Sequence, residues 1–207
     1  MDDLNKLANE VRTCKLCSLA ATRTKAVPGE GPARVELLLI GEGPGFNEDQ
    51  QGRPFVGAAG QYLNELLEKA GFKRADVYIT NVVKCRPPSN RDPLPEEIGA
   101  CAPYLERQIA LLNPTVVVTL GRYSMARWFP NEKISAIHGR ARRIGGCVVV
   151  AMYHPAAALH QSALRSTIEE DFRKLKQIIA EAQGKPEAAP AVPKPPTKDE
   201  GEQLRLF

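Results

Sequence analysis

LLLIGEGPGFNEDQQGRPF, residues Leu37 to Phe55, is the stretch on which the fold turns. An apolar run without alternation enters a turn punctuated by Gly41, Gly43 and Gly45. Carboxylates follow at Glu42, Glu48 and Asp49, and the stretch closes on the aromatic Phe55. Open α/β sheets place their ligands in the crevice beyond the carboxyl ends of the strands, where loops stand on a rigid scaffold. The glycines permit a tight turn and a close approach of backbone to ligand, and Pro44 fixes one φ angle between them. The spacing is not that of a phosphate-binding G-x-x-x-x-G-K-S/T loop, and the carboxylates would repel a bare phosphate. A solvated acidic turn is the competing reading of the stretch taken alone.

Working outward, Val35 to Ile40 reads as a parallel strand buried on both faces. Ala59, Leu63, Leu66, Leu67 and Ala70 recur at helical spacing, with Gly71 placed to end that helix. A second strand, Val77 to Val83, brings Asn81 to its end, just before Lys84 and Cys85. The loop RPPSNRDPLP then leads to a helix opened by Pro95, Glu96 and Glu97, as the proline rule and the helix dipole favour. Thr115 to Leu120 is a third strand, followed by a glycine turn and a short helix through Trp128. Arg140 to Tyr153 supplies the last strand, CVVVAMY, and the chain leaves it through His154-Pro155. An N-terminal helix over residues 3 to 12 is expected. A final helix would be capped by Ser166 and Glu169, with Ile168, Phe172, Leu175 and Ile179 as its apolar stripe.

Strands alternating with helices at this rhythm imply right-handed crossovers. The expected fold is α/β, a three-layer α/β/α sandwich around a central four-stranded parallel sheet. Its strands would end near Glu42, Asn81, Gly121 and His154. Three of these ends carry polar groups that converge on one edge of the sheet, which is the strongest pointer to a site from the residues themselves.

At 207 residues and 43% hydrophobic content the chain supports one substantial core. Residues 1–183 are read as one domain, 184–202 as a disordered linker rich in Pro, Ala and charge, and 203–207 as an apolar cluster on that leash. No apolar run approaches the roughly 20 residues of a membrane span, and the N-terminus lacks the apolar core of a secretion signal. A cytoplasmic monomer without membrane association is expected. The net charge is +4, and residues 184–207 balance four basic against four acidic side chains, so the excess sits on the domain. That favours a polyanionic partner only weakly.

Five cysteines in a chain of this class point to metal ligands or buried thiols rather than disulfides. Cys14 and Cys17 form a C-x-x-C pair, and Cys85 and Cys101 are separated by fifteen residues. Four thiolates suit zinc or an iron-sulfur cluster, and the spacing leaves both open. Such a site would tie the N-terminal segment to the loop after the second strand and hold Arg86 to Pro95 rigid. Cys147, inside an apolar strand, reads as a small buried hydrophobe.

With these residues assembled, the chain resembles the family 4 uracil-DNA glycosylases, the iron-sulfur branch of the uracil-DNA glycosylase superfamily, over about residues 5 to 180. The resemblance rests on the four cysteines, GEGPGFNED (41–49), GRPFVG (52–57), ITNVVKCRPP (79–88) and YHPAAAL (153–159), taken jointly and in this order. It implies an enzyme that flips uracil out of DNA and hydrolyses its N-glycosidic bond, leaving an abasic site. It also implies one 4Fe-4S cluster on Cys14, Cys17, Cys85 and Cys101. Carried onto this chain, Phe55 stacks on the base, Asn81 bonds the uracil edge, His154 sits by O2, and Gly41, Glu42 and Gly43 line the pocket.

That assignment has a chemical rationale. An amide offers a donor to O4 and an acceptor to N3–H, the reverse of what cytosine needs. A donor at O2 gains strength as the leaving uracil becomes an anion. Glu42 and Glu48 would counter the cationic sugar or orient water, with the choice between them open. Gly43 occupies the place where better-known relatives carry a water-activating aspartate.

For DNA contact the candidates are Lys84, Arg86 and Arg91 beside the cysteine-held loop, and His138, Arg140, Arg142 and Arg143 in IHGRARR. The latter run reads equally as a solvated hairpin. Ala156 to Gln161 would form the wedge that fills the vacated stack, with Leu159 or His160 at its tip. Some superfamily relatives trap uracil-DNA through a histidine in an inserted loop. RPPSNRDP carries none, which favours turnover. The terminal Gln203-Leu204-Arg205-Leu206-Phe207 resembles the pentapeptide with which bacterial DNA-processing proteins dock on the sliding clamp, with Gln203, Leu204, Leu206 and Phe207 as anchors. A clamp-tethered binder of damaged DNA that has lost turnover is the alternative function. A zinc-stabilised nuclease would need clustered Asp and His ligands that the sequence lacks.

Overall fold

The computed structural model describes residues 2–184; the clamp-like peptide 203–207 and the linker from residue 185 onward lie outside the described residues. Helix α1 (Asp2–Thr13) precedes strand β1 (Leu37–Gly41), a short helix α2 (Phe46–Gln51) and the longer α3 (Ala58–Lys69). Strand β2 (Tyr78–Asn81) leads through the proline-rich loop to α4 (Pro95–Leu112). Then come β3 (Val116–Leu120), α5 (Arg122–Ala126), α6 (Ile134–Ile137), β4 (Ala141–Ile144), β5 (Cys147–Met152), α7 (Pro155–His160), α8 (Leu164–Arg173) and α9 (Leu175–Gly184). No helix among the described residues is long and apolar enough to cross a membrane.

The strands form one sheet in the order β2-β1-β3-β5-β4, with all neighbours parallel except β4 and β5. Successive residues of a strand face opposite sides, and both sides here are covered. Leu37, Leu39, Val116 and Val118 pack with Leu63 and Leu67 of α3, Phe172 of α8 and Ile179 of α9. Leu38, Ile40, Val117 and Val149 pack with Val11 of α1, Leu105 of α4 and Met125 of α5. The three layers of the sandwich follow directly from the unalternating apolar strands.

Two expectations need correction. The sheet has a fifth strand, because Arg140 to Tyr153 is not one strand but a hairpin. Gly145 and Gly146 take positive φ values of 59° and 88°, as a tight two-residue hairpin turn requires, and ARRI pairs antiparallel with CVVV. β4 lies at the edge of the sheet opposite β2, with Ala141 and Arg142 exposed, and lacks the apolar run that marks the three central strands. Ser166 does not cap the last helix. That segment begins at Leu164, and Glu169 bonds Lys69 (2.8 Å) and Arg165 (3.3 Å) instead of reaching back to an amide. The helix also breaks at Lys174 into α8 and α9, while the apolar stripe stays buried.

Candidate active site and cysteine site

Parallel register sets the ends of β1, β2, β3 and β5 along one edge, with Gly41 directly beside Asn81. Beyond that edge opens a cavity of about 630 Å³, within the range of ligand pockets, which Glu42, Glu48, Phe55, Asn81 and His154 line. The loop after β2 closes one side with Pro87 and Asp92, and the start of α7 another with Ala156.

Phe55 is buried at the head of this cavity in a left-handed backbone conformation, φ 51°, which costs a bulky residue of order 1–3 kcal/mol. Several groups hold it there. The Arg74 guanidinium donates to Phe55 O at 3.2 Å and to Pro54 O at 2.6 Å. Gly60 packs so closely that a Cβ there would sit 1.9 Å from the Phe55 carbonyl oxygen. Glu48 Oε1 accepts from the amides of Val56 and Gly57, both at 2.8 Å, and its Oε2 accepts from Gly45 N at 3.2 Å. Glu48 thereby clasps the glycine turn of the motif to the turn that presents the aromatic.

Glu42 is placed differently. No hydrogen bond reaches its carboxyl among the described residues, and it faces the cavity near Asp92 and Arg122. Burial, and secondly the Asp92 charge, push its pKa above the ordinary carboxylate value, with Arg122 opposing. Arg122 is itself paired with Asp92. Neither Asp92 nor Arg122 was singled out in the sequence. Arg122 could have been, since it follows the glycine at the end of β3.

Asn81 is 2% exposed, and its Oδ1 is a buried acceptor without a partner among the described residues. Buried polar atoms in native proteins are almost always paired, so an acceptor left open at a cavity wall is available to a ligand or a water. A Cβ on Gly41 would fall 2.4 Å from this oxygen and 2.7 Å from Phe55 Cζ. The glycine is needed because two side chains cross over its α-carbon. His154 leads into α7, and its Nδ1 accepts from Ala156 N at 3.1 Å, which leaves the proton of the neutral ring on Nε2. Burial pushes its pKa down to about 4, against a weaker opposing pull from Glu48, so the imidazole is neutral at physiological pH. The site therefore combines a stacking surface, an unpaired acceptor, a neutral N–H donor and a free carboxylate.

The sequence of this domain matches the Uracil DNA glycosylase superfamily over residues 28–180. The chain belongs to that superfamily. It is 47% identical over 188 residues to a type-4 uracil-DNA glycosylase of Sulfurisphaera tokodaii, covering 86% of each chain. It is 44% identical to one of Archaeoglobus fulgidus, over 88% of this chain and 96% of that one. A type-4 uracil-DNA glycosylase of Thermotoga maritima is 43% identical over 86% of this chain and 96% of its own. These relatives place the chain in the type-4 branch of the superfamily.

Cys14, Cys17, Cys85 and Cys101 line one small cavity together with Arg23 and Tyr104. Their sulfurs collect N–H donors: Arg23 Nη1 on Cys85 at 3.0 Å, Lys84 N on Cys101 at 3.3 Å, and Leu16 N on Cys14 at 3.5 Å. Cys147 is elsewhere, half-buried at the start of β5.

The basic residues disperse. Lys84 is 1% exposed, with its ammonium turned into the protein, so it is not a DNA-facing residue. Polar partners inside the domain, invisible to a count of surface charge, explain the miss. His138 Nδ1 is held by Asp171 at 2.7 Å, and the ring packs near Tyr153. Arg143 pairs in register with Val148 and donates to Ala182 O, at the end of β5 remote from the site. Arg142 is tied to Glu132 and Arg91 to both oxygens of Glu97, whereas Arg140 is exposed at the site end of β4. Arg86 lies over the exposed ring of Phe46, 5.1 Å from its centroid. Leu159 is 50% exposed near the end of α7, next to His160 on the cavity wall.

Proposed function

We propose that this chain is a monofunctional uracil-DNA glycosylase, which takes deoxyuridine out of DNA and hydrolyses its N-glycosidic bond to begin base excision repair. The observation that carries this is the orphaned Asn81 Oδ1 beside Phe55 and His154, in a member of the type-4 branch. A flipped uracil stacks on Phe55 and gives its N3–H to Asn81 Oδ1. As the bond from N1 to C1′ stretches, negative charge spreads onto O2, where the His154 Nε2–H donates. A neutral donor suits this role, since it needs no proton from solvent and stabilises only the charge that develops. Glu42 orients the water whose oxygen bonds C1′, opposite the departing base, and its charge favours the cationic sugar. Uracil leaves with the bonding pair, the attacking water gives up a proton to Glu42 and thence to solvent, and the uracil anion is protonated on release. Glu48, with its oxygens engaged by three amides, positions Phe55 instead.

The proposal extends to the cysteines. A zinc ion draws four ligands to about 2.3 Å, while a four-iron cube spreads its thiolates over its corners. Four cysteine sulfurs share one small cavity whose lining holds no histidine or carboxylate, the all-thiolate donor set that such a cluster takes. Cys14, Cys17, Cys85 and Cys101 thus fit a 4Fe-4S cluster, which when bound ties the α1 segment to α4 and the loop after β2. N–H donors from Arg23, Lys84 and Leu16 are those that cluster thiolates accept. DNA phosphates would be met by Arg140 and Arg86, the Ala156 to Gln161 wedge would enter the stack, and residues 203–207 would bind a sliding clamp. A cytoplasmic monomer remains part of this reading.

Incubation with a single-uracil oligonucleotide and its thymine counterpart, followed by alkaline cleavage of abasic sites, tests the activity. Multiple-turnover cleavage of the uracil strand alone is expected. Tight binding of uracil-DNA without cleavage, by protein with full iron and sulfide content, would return the clamp-tethered binder as the better account.

A further inference from the structure

Lys84 is among the largest fully buried side chains, and its Nζ donates to Asn81 O (2.7 Å), Thr80 Oγ1 (2.7 Å) and Gln108 Oε1 (2.6 Å). That uses all three donors of an ammonium, and every acceptor is a neutral oxygen. Two of the acceptors are anchored in turn, since Thr80 Oγ1 and Gln108 Nε2 both donate to Pro28 O, at 2.9 and 2.7 Å. Burying a cation without a carboxylate partner is expensive, and an apolar side chain of similar volume would fill the space at less cost. Stability alone is a poor explanation for this lysine.

Its neighbours supply a better one. The Lys84 amide donates to Cys101 Sγ at 3.3 Å, and its carbonyl accepts from Val27 N at 2.7 Å. Val82 N and Val83 N donate to Gly41 O and Glu42 O, both at 3.0 Å. The turn from Asn81 to Lys84 is therefore fixed to the glycine motif on one side and to the cysteine site on the other. Asn81 Oδ1 has no bond that would aim it, so the orientation of its own peptide must do so. The ammonium grips that peptide at its carbonyl oxygen.

We propose that Lys84 is a positioning residue for uracil recognition, holding the Asn81 peptide so that the side-chain amide meets the uracil edge and coupling it through one residue to the cysteine site. The inference rests on the reading of Asn81 as the group that bonds uracil.

Lys84→Met keeps the chain length and removes the donors. Expected are inhibition by free uracil weakened by about tenfold or more and a comparable loss in kcat/KM. Affinity for an abasic-site duplex, iron content and visible absorbance should stay as in the wild type. Gln108→Leu removes a different partner of the same ammonium, so it should lower stability yet leave uracil inhibition intact. Equal loss of uracil affinity in both variants, or none in Lys84→Met, overturns the inference. Should Lys84→Met fail to fold, wild-type protein labelled with ¹⁵N-lysine decides. The buried Nζ resonance should shift when free uracil is added, and an unmoved resonance at saturation overturns the coupling. Asn81→Ala separates the two levels. If it retains uracil inhibition, the reading of Asn81 fails; if it loses inhibition while Lys84→Met keeps it, only the role of Lys84 fails.

Discussion

Phe55 and His154 stack on each other across the head of the sheet, their ring centroids 5.4 Å apart and their planes 26° from parallel. Phe55 belongs to the motif turn after β1, His154 to the exit from β5, and their contact closes the site between distant parts of the chain. Gly121, just after β3, leaves room for this histidine, since a Cβ there would lie 3.2 Å from His154 Cβ. Stacking surface and hydrogen-bond donor thus pack directly against each other as one recognition unit, as preorganised recognition requires.

Gly41→Ala should disable this unit without unfolding the protein. Gly41 is not at positive φ, so alanine meets no backbone strain, but its Cβ would fall 2.4 Å from Asn81 Oδ1 and 2.7 Å from Phe55 Cζ. Displacing both by a fraction of an ångström should lower kcat/KM about 100-fold, with circular dichroism unchanged. Normal turnover in a folded variant would refute the crossing of these side chains over the glycine.

Most of the architecture was legible because it is written in apolar periodicity. Leu37 to Ile40, Val116 to Leu120 and Cys147 to Met152 are unalternating runs and became the three central parallel strands, while Tyr78 to Asn81, at one edge of the sheet, was legible as part of the longer stretch Val77 to Val83. Ala141 to Ile144 escaped because an edge strand needs no apolar run, although the two glycines between it and β5 are a hairpin signal. Within the site, Asn81 and His154 stood out by their position at strand ends. Lys84 misled because a lysine close to Arg86 reads as surface, and the neutral cage around it is completed by Gln108 and anchored by Pro28, both distant in sequence. Glu42 and Glu48 could not be told apart from sequence, since their difference lies wholly in which amides point at them.

Those amides predict opposite phenotypes. Glu42→Gln should lower kcat by about 100-fold with little change in stability. Glu48→Ala removes the acceptor of three backbone N–H groups and should destabilise by about 2–3 kcal/mol. Urea midpoints and single-turnover rates measured side by side separate the two effects. Because Asp92 raises the Glu42 pKa, Asp92→Asn should also shift the acid limb of the rate profile to lower pH. A limb that stays in place would assign it to another group.

A second pH effect belongs to His154. Its folded-state pKa, about 4, lies below the ordinary 6.5, so between these values the unfolded chain takes up a proton that the folded state refuses. Stability should fall as pH drops from about 6.5 towards 4, and show no contribution from this group above that window. His154→Gln should flatten the dependence, seen in urea midpoints at neutral pH and near the bottom of the window. An equal slope in wild type and variant would show that the ring is not held neutral.

Removal of residues 203–207 should abolish binding to a bacterial sliding clamp while excision from short oligonucleotides proceeds at the wild-type rate. The apolar Leu204, Leu206 and Phe207 follow a stretch rich in proline and charge, so they have no neighbours in sequence with which to form a core. Surface plasmon resonance against immobilised clamp decides the matter, and undiminished binding by the shortened chain rules the peptide out.

Arg140 and Arg143 sit three residues apart in the same basic run, yet they should differ in DNA binding. β4 runs antiparallel to β5, so Ala141 pairs with Val150 near the site, while Arg143 pairs with Val148 at the opposite end of the strand. The Arg143 guanidinium is also engaged by Ala182 O at 3.0 Å, whereas Arg140 is exposed. A phosphate contact releases roughly one counterion, so Arg140→Gln should reduce the slope of log affinity against log salt by about 1, and Arg143→Gln should leave it unchanged. Fluorescence anisotropy on a duplex carrying a non-hydrolysable deoxyuridine analogue measures both slopes. If Arg143→Gln loses as much as Arg140→Gln, the DNA path extends to the far end of the hairpin, and contact confined to the site edge of the sheet is wrong.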